Sequence, residues 1–115
     1  MEHNHYTLKK YIHSLFENIK REIPEKIDLI LLDILLPGLD GFEVCRLLKE
    51  MEQTKNIQIF AITSLRGLDS KIKLIELGAD DYLAKPVNKH ELRVRVKALI
   101  KKKAYLDSLS ASVGI

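Results

Sequence analysis

The sequence lacks tryptophan and contains one cysteine, three prolines and five glycines among its 115 residues. A single cysteine excludes an internal disulfide and a cysteine zinc cluster, and it fits a reducing compartment. No apolar stretch is longer than the four residues Leu29 to Leu32, well short of the roughly 18 residues of a membrane span. The start also lacks the basic, apolar and small-residue order of a signal peptide. We therefore expect a cytoplasmic protein that does not engage a membrane.

The sequence also carries little excess of either charge. Its 19 lysines and arginines against 16 acidic residues give a formal net charge of +3, too small to predict nucleic-acid binding by this domain alone. Hydrophobic residues are 46% and charged residues 30%, which is typical of a globular chain rather than a disordered one. The length suits one domain, so we expect a single domain over 1–115.

Helices and short apolar strands alternate along the chain. The strands are predicted at 27–33, 57–62 and 81–84, and the helices at 7–22, 42–52, about 69–77 and 90–106. The strands are short and apolar without alternation, which is typical of strands covered on both faces. Alternation of helices with such strands predicts an open α/β fold with a parallel sheet.

Caps and inward faces of the helices can be predicted from the same pattern. Expected helix signals are an N-cap at Thr7, a stop at Pro24, an N-cap at Asp40 and an N-cap at Asp69 or Ser70. Apolar periodicity predicts inward faces made by Leu8, Ile12, Leu15 and Ile19 with Tyr11 and Phe16; by Val44, Leu47, Leu48 and Met51; by Leu68, Ile72 and Ile75; and by Leu92, Val96, Leu99, Ile100 and Tyr105. Cys45 shares the second helix with core residues and is expected to pack rather than react.

Polar side chains stand where each predicted strand ends. They are Asp33, then Thr63 with Ser64, then Lys85. In an open parallel sheet the working site lies beyond the carboxyl ends of the strands, so a carboxylate, a hydroxyl and an ammonium are expected to meet at one edge. Such a group suits phosphoryl transfer, because the carboxylate can attack while the ammonium and hydroxyl offset charge on the phosphoryl oxygens. A structural Asp33–Lys85 ion pair that closes the sheet edge fits the charge pattern equally well.

Two segments and one threonine carry a family resemblance. The segments 33–41 (DILLPGLDG) and 78–86 (GADDYLAKP), with Thr63 between them, resemble the receiver domain of two-component response regulators. The resemblance implies a flavodoxin-like open parallel sheet. It covers a receiver core over 25–106, preceded by the helix at 7–22 and followed by a tail at 107–115.

Residue roles follow from this resemblance alone. It implies that Asp33 is the phosphoacceptor, that Lys85 is the invariant lysine of the family, and that Thr63 and Tyr82 are the switch pair. It also implies that the backbone carbonyl of Leu35 helps Asp33 to hold Mg²⁺. The lysine–proline bond at this site is typically cis in the family.

The same resemblance implies the partners. The phosphoryl donor is a sensor histidine kinase or a phosphotransfer protein, and the signal passes to a partner or output domain through a face made by the last two helices and the last strand. Such a phosphoprotein is a signalling module rather than a metabolic enzyme.

One part of the family pattern has no counterpart. Receivers open with a strand that ends in an acidic pair, then a helix and a second strand, whereas the helix at 7–22 aligns with the second helix of the family. We therefore expect an N-terminally truncated receiver with about three strands and an incomplete metal site. We also expect a free, apolar strand edge at 27–32 and, to cover it, a homo-oligomer. An alternative function is a degenerate receiver that acts as a dimerisation or scaffold module without phosphorylation.

Overall fold

The computed structural model describes residues 5–23 and 25–112. Its helices are α1 (His5–Glu22), α2 (Gly41–Glu50), α3 (Leu68–Glu76) and α4 (Lys89–Ser112), and its strands are β1 (Leu29–Asp33), β2 (Leu35–Leu36), β3 (Leu39–Asp40), β4 (Gln58–Thr63) and β5 (Asp81–Ala84). Every predicted strand is present within two residues of its expected bounds. Pro24 lies outside the described residues. No helix in the described part of the chain is both long enough and apolar enough to cross a membrane.

The sheet that positions the site is parallel, with the strand order β1-β4-β5. β4 lies in the centre, and its residues 58–61 are all buried, as expected for a strand covered on both faces. β2 and β3 form a separate antiparallel hairpin, whose turn places Gly38 at a φ of 76°, a region that glycine enters without strain. The open α/β, flavodoxin-like fold of three parallel strands with flanking helices is confirmed.

The two faces of the sheet carry cores of unequal size. On the face shared by α1, α2 and α3, inward side chains from each helix pack with side chains of β1 and β4 in the larger cluster. On the opposite face α4 packs against β4, and the smaller cluster there is built on three buried residues, Phe60, Leu83 and Leu99. The sheet is therefore thickly covered on one side and covered by a single helix on the other.

The start of α2 fits its local sequence. The Asp40 carboxylate accepts a hydrogen bond from the Phe42 N–H at 3.0 Å, which confirms the predicted N-cap. The next residue must be glycine, since a Cβ at Gly41 would lie 2.3 Å from the Ile34 carbonyl oxygen. This close approach fixes the start of α2 against the end of β1.

The predicted inward face of α3 is wrong. Leu68, Ile72 and Ile75 are 66%, 42% and 58% exposed, and Leu74 is the buried residue of this helix. The expected caps are also wrong, because α3 begins at Leu68 after Gly67 without a side-chain cap. This short helix has apolar residues on more than one side, so periodicity alone does not tell which side faces the sheet.

The predictions for α1 are partly wrong. The helix begins at His5, so Thr7 lies in its first turn rather than at its N-cap. Its buried residues are Leu8, Ile12 and Phe16, whereas Leu15 and Tyr11 are exposed. Gln53, in the turn that follows α2, forms hydrogen bonds with two polar side chains of α1. These contacts fix the rotation of α1 about its axis, and in this rotation Leu15 and Tyr11 face away from the core.

α4 differs from expectation in its length and its inward face. It runs to Ser112, past the expected end at 106, so most of the segment 107–115 expected as a tail is helical. The Asp107 carboxylate pairs with Lys103 one turn earlier, which supports the added turns, and no glycine precedes Gly114 in this stretch. Ile100 and Tyr105 are exposed, while the whole Lys103 side chain is buried and its ammonium pairs with Asp107.

Candidate functional site

Asp33 is the last residue of β1, and its carboxylate is held from two sides. The Lys85 ammonium donates to Oδ2 at 2.6 Å, and the Leu35 N–H donates to Oδ1 at 3.1 Å. The side chain keeps 31% of its surface exposed, so it lies at the sheet edge and not in the interior. The expected contact between the carboxylate and the ammonium is therefore present.

Thr63 ends the neighbouring strand β4 and is buried. Its Oγ1 accepts a hydrogen bond from the Leu65 N–H at 3.0 Å, which leaves the hydroxyl proton available for donation. The Thr63 carbonyl accepts from the Lys85 N–H at 2.8 Å. Because β4 pairs with both β1 and β5, the hydroxyl, the ammonium and the carboxylate come from three adjoining strand ends, as the sequence predicts.

The backbone at Lys85 has two further features. The Lys85–Pro86 peptide bond is cis, as the resemblance implies. The Arg66 guanidinium donates from Nη2 to the Lys85 carbonyl at 3.1 Å. Arg66 was not predicted as a site residue. A basic residue shortly after a strand that ends at the predicted site is the signal that could have identified it.

The Asp33 carboxyl group has a pKa below the usual aspartate range. The hydrogen bond from Lys85 is the main cause, followed by the backbone hydrogen bond from Leu35, while partial burial acts in the opposite direction. Both hydrogen bonds favour the charged form. Asp33 is therefore an anionic carboxylate at neutral pH, the state in which a carboxylate can act as a nucleophile.

Tyr82 lies on β5 opposite Ala61 of β4. Together with Thr63, it lines one cavity of about 370 Å³ with residues of α3 and of the loop before it. The Lys71 ammonium lies 5.6 Å from the centre of the Tyr82 ring, within the range of a cation–π contact. The two residues expected to form a switch pair therefore line the same cavity.

The residues around Asp33 do not fit a Mg²⁺ ion. Such an ion binds through one or two carboxylates with water and phosphate oxygens, in octahedral geometry. No group of three acidic, histidine or cysteine side chains that could hold a metal exists in the described residues. Both Asp33 oxygens already accept hydrogen bonds, and the nearby Asp40 carboxylate caps α2. The metal site of Asp33 and the Leu35 carbonyl is thus incomplete among residues 5–23 and 25–112.

Comparison with known proteins gives consistent matches. The family described as the response regulator receiver domain matches residues 6–97. The chain is 43% identical over 89 residues to the response regulator PleD of Caulobacter vibrioides, a match that covers 77% of this chain and 19% of that protein. It is 44% identical over 86 residues to the phosphate regulon transcriptional regulatory protein PhoB of Pseudomonas aeruginosa, which covers 75% of this chain and 38% of that protein.

Solved structures agree with these relatives. The response regulator DrrB of Thermotoga maritima, an OmpR/PhoB homologue, has a TM-score of 0.60 at 32% identity and covers 75% of this chain and 39% of that one. A CheY-like receiver domain protein of Methanospirillum hungatei has a TM-score of 0.64 at 26% identity, with coverages of 76% and 68%. The chain spans well under half the length of PleD and PhoB. By sequence and by structure, the chain belongs to the response regulator receiver domain family.

Proposed function

We propose that Asp33 accepts a phosphoryl group from a phosphohistidine of a sensor kinase or phosphotransfer protein. The observation that supports this most directly is the accessible Asp33 carboxylate with the Lys85 ammonium 2.6 Å from its Oδ2. Phosphoryl acceptance is the general function of receiver domains. Receivers are signalling modules and generally not enzymes, and we propose the same of this chain.

The chemistry assigned to Asp33 is a single transfer. One carboxylate oxygen forms a bond to phosphorus while the phosphorus–nitrogen bond of the donor histidine breaks, and the imidazole that leaves takes a proton from solvent. The Lys85 ammonium offsets negative charge on the phosphoryl oxygens. The Thr63 hydroxyl, whose oxygen accepts from Leu65, donates a hydrogen bond to one of these oxygens. These positions contribute part of the alignment and charge that phosphoryl transfer depends on.

We propose that signal output begins with a reorientation of the Thr63 side chain. Once its hydroxyl turns toward a phosphoryl oxygen, space opens in the cavity that it shares with Tyr82, and the Tyr82 ring moves inward. This motion changes the surface formed by α3, β5 and α4, so phosphorylation at Asp33 alters a surface that lies away from Asp33.

Phosphorylation can be tested directly with small donors. Incubation with acetyl phosphate or phosphoramidate, with and without Mg²⁺, should add the mass of one phosphoryl group, measured on the intact protein. Asp33→Ala should lose the adduct. Asp28→Ala is the matched control, since Asp28 precedes the same strand at its opposite end, and it should keep the adduct. An adduct that persists in Asp33→Ala would contradict the assignment.

A second candidate function is a degenerate receiver that serves as a dimerisation or scaffold module without phosphorylation. Its support is the lack of a metal-binding group among residues 5–23 and 25–112. This candidate predicts no adduct under any of the above conditions and no measurable Mg²⁺ affinity by calorimetry.

The binding partners and cellular location proposed for this chain are those general to receiver domains. Receiver domains interact with histidine kinases or phosphotransfer proteins, often dimerise and generally bind Mg²⁺ in an acidic pocket. We propose for this chain a kinase or phosphotransfer donor, self-association and a cytoplasmic location. Any use of Mg²⁺ by this chain requires ligands beyond Asp33 and Leu35.

A further inference from the structure

β1 has one free edge in the described part of the chain, where it pairs with β4 alone. The Asp28 carbonyl accepts from the Gln58 N–H, and the Ile34 N–H donates to the Ile62 carbonyl. In a parallel ladder, alternate residues direct both backbone groups to the same neighbour. Even-numbered residues of β1 therefore bond to β4, and the N–H and C=O groups of Leu29, Leu31 and Asp33 point to the free edge.

This edge lacks the features that usually prevent strand pairing. The strand LILLD contains no proline, glycine or lysine, and proline and lysine are among the residues that commonly protect edge strands. Leu31, in the middle of the strand, is 52% exposed, although an apolar residue there would normally be covered. The edge is thus able to pair with a further strand and has apolar surface to bury.

α1 lies above the space beside this edge. α2 packs against β1 and contacts α3, which packs against β5, while Gln53 just after α2 bonds to α1. The helix order on this face is therefore α1, α2, α3. Neighbouring helices lie about 8–10 Å apart but strands only about 4.8 Å apart. With α2 over β1, α1 must extend past the edge and cover the place of the next strand.

α4 bounds the same space on the other face. Asp107 of α4 pairs with Lys26, just before β1, whereas Arg95 pairs with Asp81 of β5, so the flank that carries Asp107 faces β1. Ile100 lies seven residues before Asp107, about two turns, and thus on that flank. It is 46% exposed. Leu29 packs against the core beneath α4, and beyond this contact Leu31 and Ile100 leave apolar surface exposed on the same face.

We propose that this space, the β1 slot formed by Leu29, Leu31, Ile100 and the overhanging flank of α1 with Tyr11 and Leu15, binds one extended apolar strand of another polypeptide. The strand adds to β1 through backbone hydrogen bonds, and its side chains cover Leu31 on one face and the inner flank of α1 on the other. The proposal does not depend on phosphorylation of Asp33.

Charge defines the partner further. Arg93 lies seven residues before Ile100 on the same flank of α4, with Lys97 beside it, and both are exposed. Neither forms an ion pair with any described residue. The segment that enters the slot is therefore expected to carry acidic residues at its ends, where they can reach Arg93 and Lys97.

A second copy of this chain is a poor occupant of the slot. Twofold pairing of β1 with β1 of another copy would set the two strands about 4.8 Å apart. Each α1 extends past its own edge, so the two helices would overlap instead of keeping the roughly 8–10 Å that packed helices need. Self-association of the chain would have to use another surface.

The test is residue-resolved amide exchange by NMR with a defined probe. The probe is a synthetic peptide of about six alternating valines and isoleucines with glutamates at both ends; the control peptide has a central proline, which removes a strand donor. The probe should slow exchange at Leu29, Leu31 and Asp33 at least tenfold. Ile30 and Leu32, bonded to β4, serve as internal references and should not change. The proline peptide should protect none of them.

Variants locate the binding surface. Leu31→Lys should abolish protection by the probe, and Ile100→Lys, a second variant in case the first disturbs β1, should weaken it. Val94→Lys is the matched control, a similarly exposed apolar residue of α4 away from the slot, and should bind normally. Arg93→Glu should weaken binding by about threefold to fivefold, as expected for an exposed ion pair.

Two outcomes would overturn the proposal. Equal protection by the probe and the proline peptide would exclude strand addition. Protection of the Leu31 amide in the chain alone, in a dimer that Leu31→Lys converts to monomer, would assign the slot to a second copy. Either result would leave the proposed phosphorylation of Asp33 unaffected, because that proposal is tested by the intact mass of the protein and not by amide exchange in β1.

Discussion

At the scale of single residues, the position of Asp33 next to Lys85 follows from where each residue stands in the chain. Both come at the ends of strands of one parallel sheet, so sequence order and sheet geometry place their side chains at one edge. The hydrogen-bond roles around them could not be predicted in the same way. Leu35 donates its N–H to Asp33 and Arg66 holds the Lys85 carbonyl, and these contacts depend on loop conformations that residue type alone does not determine.

Replacement of Lys85 by methionine should raise the pKa of Asp33. The Lys85 hydrogen bond is the main cause of the lowered pKa, and methionine keeps the apolar stem without the charge. NMR titration of the Asp33 carboxyl carbon in both proteins measures the shift. Lys55→Met, in an exposed ion pair with Glu52, is the control and should leave the pKa of Asp33 in place.

The same pair predicts a pH dependence of stability. Because the Asp33 pKa is lowered in the folded state, the pair stabilises the fold above the ordinary aspartate range and loses this effect as pH falls through the folded-state pKa. The difference in unfolding free energy between the native sequence and Lys85→Met should therefore shrink as pH drops below about 4. A difference that stays constant from neutral to acidic pH would contradict a charge-based pair.

Cys45 should be inert in the folded protein. It is fully buried, and burial raises the pKa of its thiol to about 11, so very little thiolate exists at neutral pH. A chromogenic aromatic disulfide reagent should label it slowly in buffer and rapidly in denaturant. Fast labelling of the folded chain, at a rate independent of denaturant, would show that α2 is not packed as described.

At the scale of elements, strands were predicted more accurately than helix faces. A short apolar strand in a central position is buried on both sides, so no choice of face arises for β4. A helix instead packs against the sheet with one side, and α3 has apolar residues on several sides. Residue type alone therefore does not separate Leu68 and Ile75 from Leu74. Packing of α3 against β5 and α2 determines which of these residues is buried.

Two alanine variants test the corrected face of α3. Leu74→Ala should lower the unfolding free energy by about 2–5 kcal/mol, as for a fully buried leucine. Ile75→Ala, one residue later and 58% exposed, should change it by less than about 0.5 kcal/mol. Chemical denaturation of both variants gives the comparison. Equal losses, or a larger loss for Ile75→Ala, would restore the face predicted from periodicity.

At the scale of the whole molecule, the unequal cores imply unequal stability. The face with α1, α2 and α3 shares one continuous cluster with β1 and β4, whereas the cluster beneath α4 has three buried side chains, supplemented by ion pairs at Asp81 and Asp107. A unit with few buried contacts opens at a lower free energy than the rest of the fold. The parallel sheet could be predicted from the sequence, but this imbalance could not. The imbalance depends on how many helices pack against each face of the sheet.

Native-state hydrogen exchange should resolve α4 as a separate unit. Its helical amides are expected to exchange through undocking of α4 alone, at a lower opening free energy than the amides of β4, which need global unfolding. Leu47→Ala removes a buried side chain from the larger core only, so it should lower the opening free energy of β4 and leave that of α4 unchanged. Leu99→Ala destabilises the docked state relative to both the undocked and the unfolded state, so it should lower both, by about 2–5 kcal/mol. If Leu47→Ala lowered the opening free energy of α4 as well, the two faces would unfold together, and α4 could not undock independently of the sheet.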